Sequence, residues 1–492
     1  MRRAKSIHLK YVFKLALKVS CSSIGQNILQ PVQPLRQAFI LDNFISQRKS
    51  EFMLQPQTLT TPTSIAARPS YKWWAVAMLW FICFFNYADR QAISAVFPAL
   101  EKEFGFNKEQ LGLIGSAFMW VYAGGALFAG LVVDRFRRKD LILGGCLFWS
   151  FVTITTGWCS KLWHFVTVRA LEGLGETFYF PASMSMTSDY HSKKTRSRAF
   201  AFHQSSVYVG TILGSWLGAL LAMHYGWRVG FYIFGIAGMV LAIVLYKFLR
   251  EPIRGESETA ELQQHGISVE KPLGVMETFR VIFRSPSVIL LMLAFVCANA
   301  VATVFLVWTP SFLKDKFHYD LATAGLSATV FIHSASFIAV PIAGWLADKI
   351  SSRFAGGRIL IQAVGLLGGA TFVFLVGNTQ SQTTLIIAMT IFGLCKGFYD
   401  SGIFASLFDT IEPRARGTAA GIMNTVGWGG GAFGPWFVGS MAEHGSKPTK
   451  VENMSDAISW GGGLYLIGAA LLIGAVILIR RSASAKAGRL SR

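Results

Sequence analysis

Apolar residues in this chain come in long unbroken runs separated by short polar stretches, not in alternating or single-stripe patterns. From Trp73 onward there are twelve runs, at about 73–98, 110–133, 141–159, 162–186, 203–223, 228–249, 287–312, 323–347, 357–377, 383–408, 418–442 and 459–479. About 20 apolar residues cross a bilayer as a helix, and each run is near or above that length. The pattern predicts an all-α integral membrane protein with twelve transmembrane helices, their ends placed only to within several residues. Many runs carry glycine, which membrane helices tolerate and which lets neighbours approach closely.

Composition agrees: the chain is 52% hydrophobic and 15% charged, against about 25% charged in soluble domains. A soluble core of this hydrophobicity would have too little polar surface to cover it. The formal charge of +20 raises a nucleic-acid partner, but the placement of the basic residues argues against one. Arg135, Arg137, Arg138 and Lys139 follow the second run, and Lys193, Lys194, Arg196 and Arg198 follow the fourth. Lys349, Arg353 and Arg358, then Arg414 and Arg416, then Arg480 and Arg481 follow the eighth, tenth and twelfth. These loops all fall on one side, so the positive-inside rule predicts that both termini are cytoplasmic. The six cysteines have no ligand spacing and read as helix-packing residues.

The predicted domains are an N-terminal tail (1–70), a six-helix bundle (71–250), a polar cytoplasmic linker (251–286), a second six-helix bundle (287–482) and a C-terminal tail (483–492). In the first tail Lys10, Lys14 and Lys18 recur among apolar residues, a pattern for a basic helix lying on a membrane surface. A transit peptide is a second reading. A third is that translation begins at Met53 and the preceding stretch is not native. No function is built on residues 1–70.

The two bundles look like repeats. Gly173-Leu174-Gly175-Glu176-Thr177-Phe178-Tyr179-Phe180 resembles Gly393-Leu394-Cys395-Lys396-Gly397-Phe398-Tyr399-Asp400, and the same shift places Asp189 on Asp409. Gly130 to Arg135 likewise resembles Gly344 to Lys349. Parallel six-helix repeats about an axis normal to the membrane are one transporter plan, with substrate bound between the repeats.

Charges inside apolar runs are the candidate chemistry. Asp89-Arg90 lies in the first run, and Arg169, Glu172 and Glu176 in the fourth. A charge at the bilayer centre costs about 2.5–3.5 kcal/mol on insertion scales, so such residues usually face a cavity and serve function. Arg169 and Glu176 are ~20° apart around a helix and ~10 Å apart along it, with Glu172 near the same face and Tyr179 continuing it. For Asp89-Arg90 the bland alternative is a neutralised structural pair. For Glu172 it is a salt bridge to Arg169. Lys396 and Asp400 are four apart, so an intrahelical pair is open beside a functional one. Asn299 and His333 are polar residues of the seventh and eighth runs, with packing the bland reading for the histidine.

With twelve runs and these motifs, the chain resembles the major facilitator superfamily over nearly all of 71–482. Its loop signature appears as Gly130-Leu131-Val132-Val133-Asp134-Arg135-Phe136-Arg137-Arg138-Lys139, with Arg137 where the family has a second glycine. Within the superfamily it is similar to the anion:cation symporter branch, including sialin-like and sugar-acid transporters. Asn86-Tyr87-x-Asp89-Arg90, Arg169-x-x-x-Gly173-x-x-Glu176-x-x-x-x-Pro181 and Trp308-x-Pro310 carry that likeness. The spinster-like branch has a similar Asp-Arg and Arg/Glu pattern.

The resemblance implies two six-helix pseudo-repeats and proton-coupled symport of a small organic anion, such as a hexuronate or aldonate, by alternating access. Spinster-like export of a lysolipid, or a transporter-fold nutrient sensor, are the alternatives. Arg90 and Arg169 are then expected to clamp a substrate carboxylate, and Asp89 and Glu176 to carry the proton. Tyr87, Tyr179, Tyr399 and Asn424 are expected substrate contacts, with Tyr122 and Tyr208 further cavity candidates. Asp134, Arg135, Arg138, Asp189 and Asp409 are expected to gate the cytoplasmic side. No phosphate loop, metal-spaced cluster or nucleophile elbow is present, so an enzyme is not expected. The expected partners are a small anion and the lipid bilayer, with no nucleic acid, no cofactor, a coupling proton and a monomer in the inner membrane.

Overall fold

In the computed structural model the described residues are 70–191, 193–252, 274–412 and 415–490. The side chains at 131, 134, 193, 194, 197, 275, 417 and 483–490 fall outside that description. The basic amphipathic pattern of the first tail and most of the linker also lie outside it. Among the described residues there are helices and no strands.

The helices are α1 (Tyr71–Ala95), α2 (Phe97–Phe104), α3 (Lys108–Arg135), α4 (Arg138–Thr156), α5 (Leu162–Glu176), α6 (Tyr179–Tyr190), α7 (Lys193–Tyr225) and α8 (Trp227–Phe248). After the linker come α9 (Val275–Arg284), α10 (Pro286–Phe317), α11 (Leu321–Ser351), α12 (Gly357–Asn378), α13 (Gln382–Asp400), α14 (Ile403–Thr410), α15 (Arg416–Gly431), α16 (Phe433–His444) and α17 (Lys450–Leu490). Taken end to end, α1–α2, α5–α6, α13–α14 and α15–α16 each make one interrupted rod, giving twelve rods beside the short α9. Eight rods are long and apolar enough to cross a membrane. The other four are the two with buried charges (α1, α5), one that opens on Arg138-Lys139-Asp140 (α4) and one rich in glycine (α15).

Local signals account for the ends and breaks. Asn107 caps α3 by accepting from the Gln110 N–H at 2.8 Å, while the Gln110 side chain accepts from the Asn107 N–H at 3.0 Å. Asp320 caps α11 through the Thr323 N–H at 2.9 Å. The fourth rod breaks between Glu176 and Tyr179, four residues ahead of Pro181. Proline has no N–H for the Thr177 carbonyl and its ring crowds that carbonyl.

Glycine sets the closest contacts. Gly210, Gly214 and Gly218 of α7 face Phe84, Ala88 and Ala92 of α1, and a Cβ on Gly214 would lie 2.3 Å from the Ala88 Cα. This is small-residue packing between membrane helices, and it fixes α1 with its Asp89-Arg90 step.

Helices before residue 250 pack mainly on one another through α1–α7, α4–α8 and α3–α5, and those after 286 through α12–α17, α10–α17 and α11–α13. Three seams join the groups, α3 against α15 and α16, α7 against α11, and α1 against α10. The structure carries the repeat read in the sequence. A Cβ on Gly173 would sit 2.4 Å from the Phe118 carbonyl oxygen, and one on Gly393 2.4 Å from the Ile332 carbonyl oxygen. The ion pairs Arg138–Asp189 and Arg358–Asp409 each join residues 51 apart, at matching places in the two halves.

Candidate functional site: a buried charge cluster in the first half

Asp89 and Arg90 lie two-thirds along α1, and Arg169, Glu172 and Glu176 share one face of α5. The structure brings all five together. The Arg90 Nε donates to Glu176 Oε2 at 3.0 Å, and its Nη2 pairs with the same oxygen. Arg169 Nη1 donates to Glu172 Oε2 at 2.5 Å. The Arg90 N–H donates to Asp89 Oδ1 at 2.8 Å, and Thr153 of α4 lies 3.2 Å from Asp89 Oδ2.

Both guanidinium groups rest on one ring, at 4.5 Å (Arg90) and 4.7 Å (Arg169) from the centre of Phe118. Tyr87 and Tyr122 add two more faces to Arg90, at 4.6 and 5.2 Å. Aromatic faces stabilise a cation that has left water, more so than at an exposed site. Arg90 and Tyr87 are half-buried, whereas Asp89, Arg169, Glu172 and Glu176 are no more than 3% exposed.

Three carboxylates stand against two guanidinium groups. One oxygen each from Asp89, Glu172 and Glu176 lies within 4.8 Å of the others. Glu172 Oε1, Glu176 Oε1 and Arg169 Nε have no hydrogen-bond partner. The cluster therefore offers a cation or proton a triad of oxygens, and it offers an anion the half-buried Arg90 guanidinium.

The other expected contacts divide. Asn424 is half-buried on α15. Tyr179 is not a cavity residue: it is 1% exposed, its hydroxyl donates to the Leu79 carbonyl at 2.7 Å, and His203 Nε2 lies 3.0 Å away. The break before it turns it off the face of Glu176 and in between α1 and α7. Tyr399, at its repeat position, is 2% exposed and packs at the α12–α13 contact, where a Cβ on Gly365 would lie 2.9 Å from its nitrogen. Asn299 bonds back to the Phe295 carbonyl at 3.0 Å, a packing role. Lys396 pairs with Asp400 within α13. His333 is 9% exposed, with Tyr208 of α7 across the seam at 5.9 Å between ring centres.

The expected gate residues lie at the basic-loop face, but their pairs stay within one half. Arg138 binds Asp189, and Glu251 accepts from the backbone N–H groups of Arg138 and Lys139 at 3.1 and 2.7 Å. Asp409 and Asp348 share Arg358, each at 2.5 Å. Arg135 is exposed, and the Asp134 side chain lies outside the described residues. Among the described residues, the pairs Arg138–Asp189 and Arg358–Asp409 brace each half.

Bridging occurs at the opposite face, through a residue the sequence did not single out. Lys108 Nζ is 2.7 Å from Asp315 of the second half and 2.7 Å from Glu101, and the Lys108 N–H donates to Glu443 at 2.7 Å. A lysine at the mouth of a run reads as solvated; only the fold buries it. Deeper in the same seams, Ser116 donates to the Ala432 carbonyl at 2.5 Å, Ser215 to Gly325 at 2.7 Å, and the Trp308 indole to Pro435 at 2.8 Å within the second half.

Twelve helical rods in two joined groups, with a charge cluster sealed among them, define a multi-pass integral membrane carrier and not an enzyme. The chain belongs to the Major Facilitator Superfamily, whose profile matches residues 79–435 and 312–491. Among curated proteins it is 28% identical over 406 residues to the chloroplastic Ascorbate transporter of Arabidopsis thaliana, covering 80% of this chain and 73% of that one. It is 27% identical to the Probable L-galactonate transporter of Escherichia coli (strain K12), covering 75% and 83%. It is 26% identical to the Probable galactarate/D-glucarate transporter of Bacillus subtilis (strain 168), covering 74% and 84%. Among solved structures, a bacterial homologue of the human lysosomal transporter Spinster, inward-facing and unoccupied, matches with a TM-score of 0.71. That match has 20% identity and covers 84% of this chain and 98% of that one. The D-xylose-proton symporter matches with a TM-score of 0.64 at 18% identity, covering 81% and 95%. The structural likenesses concern the fold.

Proposed function

We propose that this protein is a secondary active transporter that couples a proton to symport of a small organic anion of the sugar-acid class. The observation that carries the reading is the unequal buried cluster: three carboxylates, two guanidinium groups, and the half-buried Arg90 held by Glu176. An unbalanced charge in low dielectric is costly, so the three-carboxylate cluster is the natural seat of one proton, shared among Asp89, Glu172 and Glu176. Protonation at Glu176 weakens its hold on Arg90. The guanidinium fork is then free for a substrate carboxylate, which it matches bidentately. Proton and anion thus enter the same site together, the requirement for symport. Relatives named for galactonate, galactarate/glucarate and ascorbate support an acidic sugar as the substrate.

In this reading the halves are the six-helix units 71–250 and 287–482, joined by the 251–286 linker. Both termini and the basic loops face the cytoplasm by the positive-inside rule. The Lys108–Asp315 contact then closes the outer face, so the conformation is inward-facing. The carrier works as a monomer in the inner membrane.

The test is uptake of radiolabelled galactonate, galactarate and glucuronate into proteoliposomes with and without an inward proton gradient. The reading expects concentrative uptake that a protonophore abolishes and that replacement of sodium by choline leaves unchanged. Uptake of none of these acids, with movement of a lysolipid instead, assigns the protein to the spinster-like function.

A further inference from the structure

The second half holds a crevice that the coupling scheme leaves unused. It is lined by Phe305, Leu306, Ile332, His333, Phe392 and Lys396. Its place is set by the repeat. Lys396 occupies the position of Glu176, Ile332 that of Phe118, and Gly393 makes the same 2.4 Å approach to Ile332 that Gly173 makes to Phe118. The crevice is the pseudo-symmetric mate of the Arg90–Glu176 site, with the charge reversed.

Three observations mark it as a place for a ligand. The Lys396 side chain is 17% exposed, so its ammonium reaches the crevice even while it pairs with Asp400. His333 Nδ1 is buried with no hydrogen-bond partner. The crevice adjoins the first site: Gln91, next to Arg90, donates to the carbonyl of the crevice residue Leu306 at 2.6 Å.

We propose that Lys396, with the N–H of His333 beside it, forms a second anion subsite, and that the substrate is a small dianion with an acidic group at each end. This inference rests on the anion-transport reading and narrows it. In the empty carrier each cation is held by an internal carboxylate, Arg90 by Glu176 and Lys396 by Asp400. One end of the substrate displaces the first partner and the other end the second. The apolar lining of Phe305, Ile332 and Phe392 keeps water from screening the second contact.

The experiment compares galactarate, a dicarboxylate, with galactonate, its monocarboxylate analogue, in proteoliposomes of the wild-type protein and Lys396→Gln. The wild type should have a KM for galactarate about tenfold or more below that for galactonate, the scale of one charge-assisted hydrogen bond. Lys396→Gln should raise the galactarate KM by about the same factor and leave the galactonate KM within about twofold. Equal effects on both acids, or on neither, overturn the subsite, as does wild-type transport of galactonate alone. If neither acid moves in the wild type, the anion-transport reading itself fails. Where Lys396→Gln does not fold, Asp400→Asn serves: freeing Lys396 should shift the KM ratio further toward galactarate, and an unchanged ratio overturns the proposal.

Discussion

In the proposed scheme individual residues decide coupling, because the cluster is short of one positive charge. Glu176→Gln keeps shape and hydrogen bonding but cannot ionise. It should abolish accumulation driven by a proton gradient while substrate exchange across equal pH persists, as read by counterflow. Full gradient-driven accumulation in this variant would remove Glu176 from the coupling role. Asp89→Asn should impair accumulation in the same direction, since Asp89 belongs to the same oxygen triad. Arg90→Lys replaces a planar fork with a point charge, and loss of one charge-assisted bond corresponds to about 1.5–3 kcal/mol. The KM for the anion should rise by roughly tenfold or more. An unchanged KM would show that Arg90 does not touch substrate. Asp89, Arg90, Arg169 and Glu176 were legible in the sequence, because a charge in an apolar run is too costly to keep against lipid. The Arg169–Glu172 pair was legible too, as two residues three apart on one helix face, whereas the Arg90–Glu176 pair was not, because only the fold brings α1 to α5 there.

At the scale of helices, close packing of glycine and breaks at proline position these charges. Gly214 admits Ala88 so closely that any side chain must push α1 from α7. Gly214→Val should therefore destabilise the protein by ~1–3 kcal/mol or more, seen as a lower Tm in detergent. A Tm equal to the wild type would mean that the α1–α7 contact gives way freely. Tyr179 shows where periodicity fails. Spacing from Glu176 extends the polar face to it, but the interruption four residues before Pro181 turns it into the packed interior; Tyr399 is buried without any break, by the close α12–α13 contact at Gly365. The twelve runs themselves were readable because each rod had to be apolar over a bilayer's thickness. Three of the four interruptions are followed within a few residues by a proline, Pro98, Pro181 and Pro435, while the one at Ser401-Gly402 has none.

For the whole molecule the question is how the halves rock. Lys108, buried between Glu101 and Asp315, ties them together at the face away from the basic loops. Removing Lys108 leaves the partly exposed Glu101 and Asp315 carboxylates without their shared partner, which disfavours the closed face. Lys108→Ala should open that face, lengthening the distance between spin labels at Lys102 and Ser446. An unchanged distance distribution would show that the apolar seam alone holds it shut. The sequence did not reveal this latch, since Lys108, Asp315 and Glu443 lie at the ends of three helices far apart in the chain and meet only through the fold.

The most direct measurement of the central claim is proton movement itself. Proteoliposomes enclosing a pH-sensitive dye would be given external galactarate at equal starting pH, with potassium and valinomycin clamping the potential. The account predicts that substrate entry acidifies the interior in wild-type vesicles, and that Glu176→Gln vesicles take up substrate by exchange with no acidification. Substrate entry without acidification in the wild type, or equal acidification in Glu176→Gln, would contradict it.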